Sequence, residues 1–398
     1  MIAACQGDSG TAGRSAPSGD IIIASDLSVS SLDGLARPLE QAIRLAIAQH
    51  PTIGRFKVSY WSLDDALAGN SSSEKALQNV AQMVDDNRVL AMIGPLFSYV
   101  AFPTIPVANV GDLAMVNPDN TAACLTQGKP PECGTDPSTL RPSGRNNYFR
   151  IAPPDEGQGN AMGRYAARNL NVKRVAVINE WGPDGDKIIS RFARELELNG
   201  GKIVVREDVD SGTTDFKPFL ANAQSKGAQA IYAIGDGDSD KICVAASQMS
   251  TDTYFLGTDS IIYGSQCIDQ ALSRSGSMLA TYTDVDIRKS QDPQAMSVVR
   301  QFHQSYPNAT ISDYTFAAYD CAMIVIDAIE HAIEANGGRL PDRRQVLDAM
   351  TRSQLRGVTG SYSFDKNGDA VFPLMSVYKV VSEKWTYLNK IDGSASSS

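Results

Sequence analysis

The sequence predicts an α/β protein of two Rossmann-like lobes, each built on a parallel sheet. Three observations carry that expectation. Short apolar runs alternate with stretches of helical periodicity, this rhythm occurs twice with a polar interruption between, and 398 residues exceed one ordinary core. The run Val89-Leu90-Ala91-Met92-Ile93 is typical: unbroken apolar sequence of this length reads as a strand buried on both faces, as in a sheet covered by helices on each side.

The first half opens with the strand Ile21-Ile22-Ile23-Ala24 and a polar segment, Ser25 to Gly34. Leu35, Leu39, Ala42, Ile43, Ala46 and Ile47 then recur at helical spacing. Phe56 to Trp61 reads as the next strand, Glu74 to Asp86 as a helix with Ala76, Leu77, Val80, Ala81 and Val84 on one face, and Val89 to Ile93 as the third strand. Gly94-Pro95 breaks the chain, and Ser98 is expected as the N-cap of the following helix. A second apolar run, Leu113 to Val116, ends in the turn Asn117-Pro118-Asp119-Asn120-Thr121. In a parallel sheet both turns open on the same edge, where open α/β sheets bind small ligands, so they are expected to form half of a cleft.

The rhythm stops for a loop from Ala122 to Asn147 and restarts at Tyr148-Phe149-Arg150-Ile151. The predicted order is then strand Arg174–Asn179, helix Asp186–Asn199 stopped by Gly200-Gly201, strand Ile203–Arg206, helix Phe216–Lys226, strand Ala228–Ile234, helix Lys241–Met249 and strand Tyr254–Gly257. After Met278 to Tyr282 a long helix is expected over Tyr314–Glu334, stopped by Gly337-Gly338, and another over Pro341–Met350. Gly360–Phe364 and Leu374–Val381 are β-like, with an Asp-Lys-Asn-Gly-Asp turn between them. That turn lacks the Gly and Glu of a calcium loop, having Ala370 and Ser376 at those positions, and reads as a plain turn.

A net charge of -9 disfavours nucleic acid or an anionic membrane surface as the main partner, and no stretch approaches the roughly 20 apolar residues of a membrane span. His50, His303 and His331 have no metal-ligand spacing, and neither cofactor nor metal is expected. Gly-x-Ser-x-Gly, Walker and His-Glu-x-x-His motifs are absent; Gly235-Asp236-Gly237 lacks a third glycine, and its neighbouring carboxylates would repel a pyrophosphate. Cys124 and Cys133 flank a short Gly/Pro-containing loop and are expected to pair, which points to an oxidising compartment. Cys243 and Cys267 are either a second pair or two unrelated thiols, and Cys321 reads as a buried thiol. Ile2-Ala3-Ala4-Cys5 is similar to the end of a bacterial lipoprotein signal, with Cys5 as the lipid site, although the charged and apolar regions of a signal are missing. Residues 1–19 then read as a tether and residues 392–398 as a disordered tail.

Several motifs, in order, carry a family likeness: Ile93-Gly94-Pro95-x-x-Ser98, Met115-Val116-Asn117-Pro118, Tyr148-Phe149-Arg150-Ile151-Ala152-Pro153-Pro154-Asp155, Phe255-Leu256-Gly257-Thr258-Asp259 and Gly360-x-Tyr362-x-Phe364-Asp365-x-x-Gly368-Asp369. Together they resemble the type I periplasmic solute-binding proteins, in particular the leucine/isoleucine/valine-binding family that feeds ABC importers. The resemblance implies two lobes joined by three hinge crossovers, with residues 20–148 and 284–360 in the first and 149–283 and 361–391 in the second. It also implies a monomeric receptor outside the cytoplasmic membrane that closes on a small amino-acid-like ligand and delivers it to an ABC permease. Ser98 matches the position whose hydroxyl takes the ligand carboxylate, beside Tyr99. Thr121 matches a second contact, with Asp119 two residues before it. Asp259 falls where the family places an acid against the α-ammonium. Ordinary readings stand beside these: Ser98 as a helix cap and Asp259 as the brace of a loop.

The chain also departs from the family. Asp184 stands where an aromatic is usual, with Trp181 three residues earlier as a substitute wall, and Asp236, Gly237 and Asp238 stand where tyrosines are common. Exchanging aromatics for carboxylates argues for a cationic or hydrogen-bond-rich ligand, since unpaired acids in a closed cleft are costly. The acids Asp236, Asp238 and Asp240 have two other readings, a metal site or a solvated helix start. A sensor domain of the same fold, or an α/β enzyme, are the other functional classes; no nucleophile-base pair favours the latter.

Overall fold

The apolar runs fold as strands in the computed structural model, which describes residues 18–128, 130, 133–134, 136–210, 212–235, 241–250, 252–263, 267–268 and 277–396. The first part of the chain gives β1 (Ile21–Leu27), α1 (Ala36–Gln49), β2 (Thr52–Ile53), β3 (Phe56–Asp64), the small hairpin β4 (Ala66–Leu67) and β5 (Asn70–Ser71), α2 (Ser73–Asp85), β6 (Val89–Ile93), α3 (Ser98–Val110), β7 (Ala114–Asn117) and β8 (Tyr148–Arg150). These build a sheet in the order β2-β3-β1-β6-β7-β8, parallel except for β2. Alternation along a strand decides which core each residue enters. Ile21 and Ile23 of β1 point into one core, Ile22 and Ala24 into the opposite one with Val80, Met83, Ala101 and Ile105 of α2 and α3.

The second part follows as α4 (Asp155–Arg168), β9 (Arg174–Asn179), α5 (Pro183–Leu198), β10 (Lys202–Asp208), α6 (Lys217–Ser225), β11 (Ala230–Ile234), α7 (Lys241–Gln248), β12 (Tyr254–Gly257), α8 (Ser260–Tyr263) and β13 (Met278–Tyr282). The chain then returns to the first lobe with α9 (Pro293–Ser305), α10 (Thr315–Ala335), α11 (Arg343–Met350) and the short pair β14 (Leu355–Arg356) and β15 (Ser361–Tyr362). It ends in β16 (Leu374–Val381) and β17 (Lys384–Asp392), a hairpin that extends the second sheet to β10-β9-β11-β12-β13-β16-β17. Helix α10 is buried along most of its length because it lies between the first sheet and α1 and α11, with Ile324, Val325, Ala328 and Ile329 fully buried. Each such isoleucine contributes roughly 1.5–3 kcal/mol. In the second lobe α4 and α5 cover one face of the sheet and α6 and α7 the other.

The chain crosses between the lobes at residues 151–154, 283–284 and 371–373. Residues 149–150 and 361–370, expected in the second lobe, pair and pack with the first instead. Phe149 and Arg150 lie in β8 beside β7, Tyr362 and Ala370 enter the first core, and Arg150 bridges Asp369 backbone to backbone. The expected C-terminal tail is held as far as Ser396. Arg164 donates to the Ser394 carbonyl at 2.6 Å, and the Ser396 N–H donates to Glu195 at 2.6 Å. Cys124 pairs with Cys133 and Cys243 with Cys267, while Cys321 is a free, buried thiol. Among the described residues no helix is long and apolar enough to cross a membrane. Cys5 and residues 1–17 lie outside the described residues.

Candidate functional site

The two turns at the ends of β6 and β7 are stitched together by side chains that backbone geometry demands. The Asn117 side chain accepts from the N–H groups of Asp119 (2.9 Å) and Asn120 (2.7 Å), and its amide donates to the Pro95 carbonyl at 2.5 Å. Asn120 donates to the Leu96 carbonyl at 2.6 Å and accepts from the Tyr148 hydroxyl at 2.9 Å. Below them the fully buried Arg150 guanidinium bonds Asp369 (2.6 Å), Thr126 (2.7 Å) and the carbonyls of Asn120 (3.0 Å) and Ala122 (2.8 Å). Thr121 is therefore carried on a turn clamped on both sides. Ser98 is not the N-cap: Phe97 occupies that position, Ser98 is the first helical residue, and its hydroxyl accepts from the Ala122 N–H at 3.3 Å.

Across the hinge, the turn after β12 presents Asp259. Gln158 of α4 grips it twice, donating to the carboxylate and accepting from the Asp259 N–H, each at 3.0 Å. Thr283 donates to its other oxygen at 3.3 Å, and Thr281 fixes Gln158 at 3.0 Å. A cavity of about 610 Å³ brings both sides together. Leu35, Leu39, Leu96, Phe97 and Phe102 form its apolar wall. Its polar lining is Ser98, Tyr99, Asp119, Thr121, Asp259, Asp313 and Tyr314.

The acids of this region are electrostatically strained. Burial pushes Asp119 well above the usual carboxylate range, helped by the charges of Asp284, Asp259 and Asp313 and opposed by a hydrogen bond from Tyr314. Asp259 is raised by burial against the bonds from Gln158 and Thr283. Behind the cavity, burial takes Asp155 to about 7, with Asp259 and Glu156 adding to it, and takes Asp284 to about 7 despite the Tyr314 N–H at 3.0 Å.

Of the residues singled out from sequence, Ser98, Tyr99, Asp119, Thr121 and Asp259 share this cavity. Tyr99 sits at its rim, 57% exposed and stacked on Phe97. Trp181 and Asp184 do not join them; they line a neighbouring cavity of about 440 Å³ with Ala122, Asp155 and Glu156. The Asp184 side chain is 83% exposed and paired with Lys187 at 3.0 Å, which is the behaviour of a solvated acid in the first turn of α5. Asp236, Asp238 and Asp240 lie outside the described residues. Sequence reasoning passed over Asp313, Tyr314, Asp284 and Gln158. The one local hint was the polar Ser312-Asp313 ahead of a long apolar helix; the left-handed backbone of Tyr314 (φ 59°), unusual for a bulky residue, is visible only in three dimensions. Among the described residues no group of three or more His, Cys, Asp or Glu could hold a metal ion. The Asp365 carboxylate serves its own turn, accepting from the N–H groups of Asn367 and Asp369.

The family model described as "Periplasmic binding protein" matches residues 25–384. The leucine-, isoleucine-, valine-, threonine- and alanine-binding protein of Pseudomonas aeruginosa is 23% identical over 308 residues, covering 77% of this chain and 76% of that protein. A crystal structure of a leucine-binding protein from Thermotoga maritima superposes with a TM-score of 0.65 at 25% identity, covering 93% of this chain and 98% of that one. An ABC transporter substrate-binding protein from Desulfitobacterium hafniense in complex with Leu gives 0.72 at 20% identity, covering 92% and 99%.

Proposed function

The chain belongs to the periplasmic binding protein family, and from that premise we propose that it is an extracytoplasmic solute receptor delivering a small amino-acid-like ligand to an ABC importer. The observation that carries this reading is the single cavity bounded by Ser98 and Thr121 on one lobe and Asp259 on the other. A ligand there touches both lobes, so its binding free energy favours the closed arrangement that a permease would recognise. Ser98 and Thr121 receive the ligand carboxylate: their hydroxyls donate, and the start of α3 adds its positive dipole end. Asp259 receives the α-ammonium, held in place by Gln158 and Thr283 so that little ordering remains to be done on binding. The relatives named above bind leucine or a set of small amino acids, which supports this ligand class. Lipid attachment at Cys5 belongs to the same reading, and intact-mass analysis of protein extracted from membranes would detect the added diacylglyceryl group.

A thermal-shift screen against amino acids, amides, amines and nucleosides tests the receptor role. At least one small polar ligand is expected to raise the melting temperature, with compaction on X-ray scattering. Asp259→Asn, which keeps an acceptor for Gln158, is expected to weaken binding of an ammonium-bearing ligand at least 100-fold while the ligand-free melt changes little. Wild-type affinity in that variant would refute the role given to Asp259.

A further inference from the structure

We propose that the cavity selects a small organic ligand with two cationic centres, one held by Asp259 on the second lobe and the other by Asp119 and Asp313 on the first. This rests on the reading of the cavity as the ligand site.

Three carboxylates line the cavity, and they arrive from three separate segments: the turn after β7, the residues ahead of α10, and the turn after β12. No Lys, Arg or His is among its described lining residues. Two arginines of the surrounding segments are committed elsewhere. Arg150 spends its donors on Asp369, Thr126 and two carbonyls. Arg288, which feels the charge of Asp313, is bonded through Nε and Nη2 to Asp286 at 2.8 and 3.0 Å. Three leucines and two phenylalanines share the lining with the hydroxyls of Ser98, Tyr99, Thr121 and Tyr314, and this apolar share makes an acid without a counter-charge expensive. Asp284 and Asp155 are further acids close enough to interact with Asp119 and Asp259 respectively.

An amino acid with an aliphatic side chain brings one ammonium, and its carboxylate brings a negative charge into the same enclosure. It would answer Asp259 and leave Asp119 and Asp313 without a counter-charge. A second ammonium or guanidinium, carried on a flexible methylene chain that can lie along Leu35, Leu39 and Leu96, answers both needs. Basic α-amino acids and α,ω-diamines share this chemistry. They differ only in whether the Ser98–Thr121 end receives a carboxylate.

The test uses the full chain in titration calorimetry at pH 7.5 with L-lysine, L-ornithine, L-arginine, putrescine, L-leucine and calcium chloride as probes. At least one dication is expected to bind ten-fold or more tightly than L-leucine; a basic amino acid ahead of putrescine identifies the carboxylate contact, and the reverse order identifies a diamine receptor. L-leucine binding as tightly as every dication would overturn the selectivity while leaving the receptor reading intact. Binding of calcium alone would overturn it in favour of a metal site, and binding of no probe, with the broader screen also negative, would remove the receptor reading itself. Asp313→Asn supplies a second measurement. It is expected to lower the ratio of the affinity for the preferred dication to that for L-leucine at least ten-fold; an unchanged ratio would overturn the proposal.

Discussion

Replacing Asp369 by Ala removes the one carboxylate, among the described residues, bonded to a guanidinium that has no exposed surface. Arg150 is 0% exposed and the Asp369 side chain 6%, so water cannot take the place of the missing partner. Breaking a buried pair on one side costs about 3–5 kcal/mol, most of it the penalty of an uncompensated charge. This pair belongs at the upper end of that range, because Asp369 also accepts from Thr126 at 2.9 Å and from Gln127, and those donors lose their acceptor too. Asp369→Asn keeps an acceptor for the Arg150 Nε and is expected to cost about 2 kcal/mol, in line with loss of charge assistance alone. Equilibrium urea unfolding followed by far-UV circular dichroism gives both values. A double-mutant cycle with Arg150→Met then isolates the pair, with an expected coupling of at least about 2 kcal/mol. A loss below about 1 kcal/mol for Asp369→Ala would refute the reasoning, since it would mean that Arg150 is solvated or finds another counter-charge.

Two further outcomes follow from the geometry. Asp155 and Asp284, both pushed up to about 7 by burial, hold protons in the native state that the unfolded chain has already lost above about pH 4. The stability they contribute is complete below pH 4 and is lost as pH rises through 7, so the ligand-free melting temperature should fall between pH 5 and 7.5 and level off above. The double substitution Asp155→Asn/Asp284→Asn should flatten that slope; a slope of opposite sign, or one that the substitutions leave unchanged, would contradict the assignment. Gly94 has φ 108°, and a Cβ there would lie 2.2 Å from the Asp26 carbonyl oxygen. Gly94→Ala should therefore cost at least about 3 kcal/mol from backbone strain and displacement of β1, and a wild-type melting temperature for that variant would count against it.

The fold was legible because its strands are apolar on both faces. Val89–Ile93 and Ala230–Ile234 are buried at every position, which makes each an unbroken hydrophobic run that turn residues then bracket. The pair β4–β5 and the strand β14 left no such trace, since two residues carry no period, whereas β15 falls within the β-like stretch Gly360–Phe364. At the cavity, four of the residues singled out from sequence lie just after strands within recognisable motifs: Ser98, Asp119, Thr121 and Asp259. Sequence missed Asp313 and Tyr314 because the polar Ser312-Asp313 ahead of α10 is a weak local mark; they reach the cavity because α10 packs beneath the first sheet and starts at the cavity's edge. Of the acids expected in place of aromatics, Asp184 does not line this cavity, and Asp236 and Asp238 lie outside the described residues. Asp184 fell away because α5 begins at the surface, where Lys187 and water satisfy it.

Arg150 and Asp369 matter to the site for a reason that burial alone does not convey. Each lies at the first-lobe root of a crossover, Arg150 just before residues 151–154 and Asp369 just before 371–373. Backbone bonds join the two roots, from the Arg150 N–H to the Gly368 carbonyl at 2.9 Å and from the Ala370 N–H back to the Arg150 carbonyl at 3.2 Å. The same guanidinium holds the carbonyls of Asn120 and Ala122, which bracket Thr121. Ala122 in turn donates its N–H to Ser98. One buried charge therefore ties two hinge roots to both ligand-facing turns, making the first-lobe half of the cleft a rigid platform. Asp259 depends on a different set of contacts, Gln158 and Thr281 on the second-lobe side and Thr283 in a crossover. The two halves of the grip are thus each internally fixed and meet beside the crossovers, where the Thr283 and Tyr314 hydroxyls bond and the Asp155 N–H donates to the Thr121 carbonyl at 3.0 Å, an arrangement that lets a ligand be clasped by rotation of the lobes without remodelling either surface.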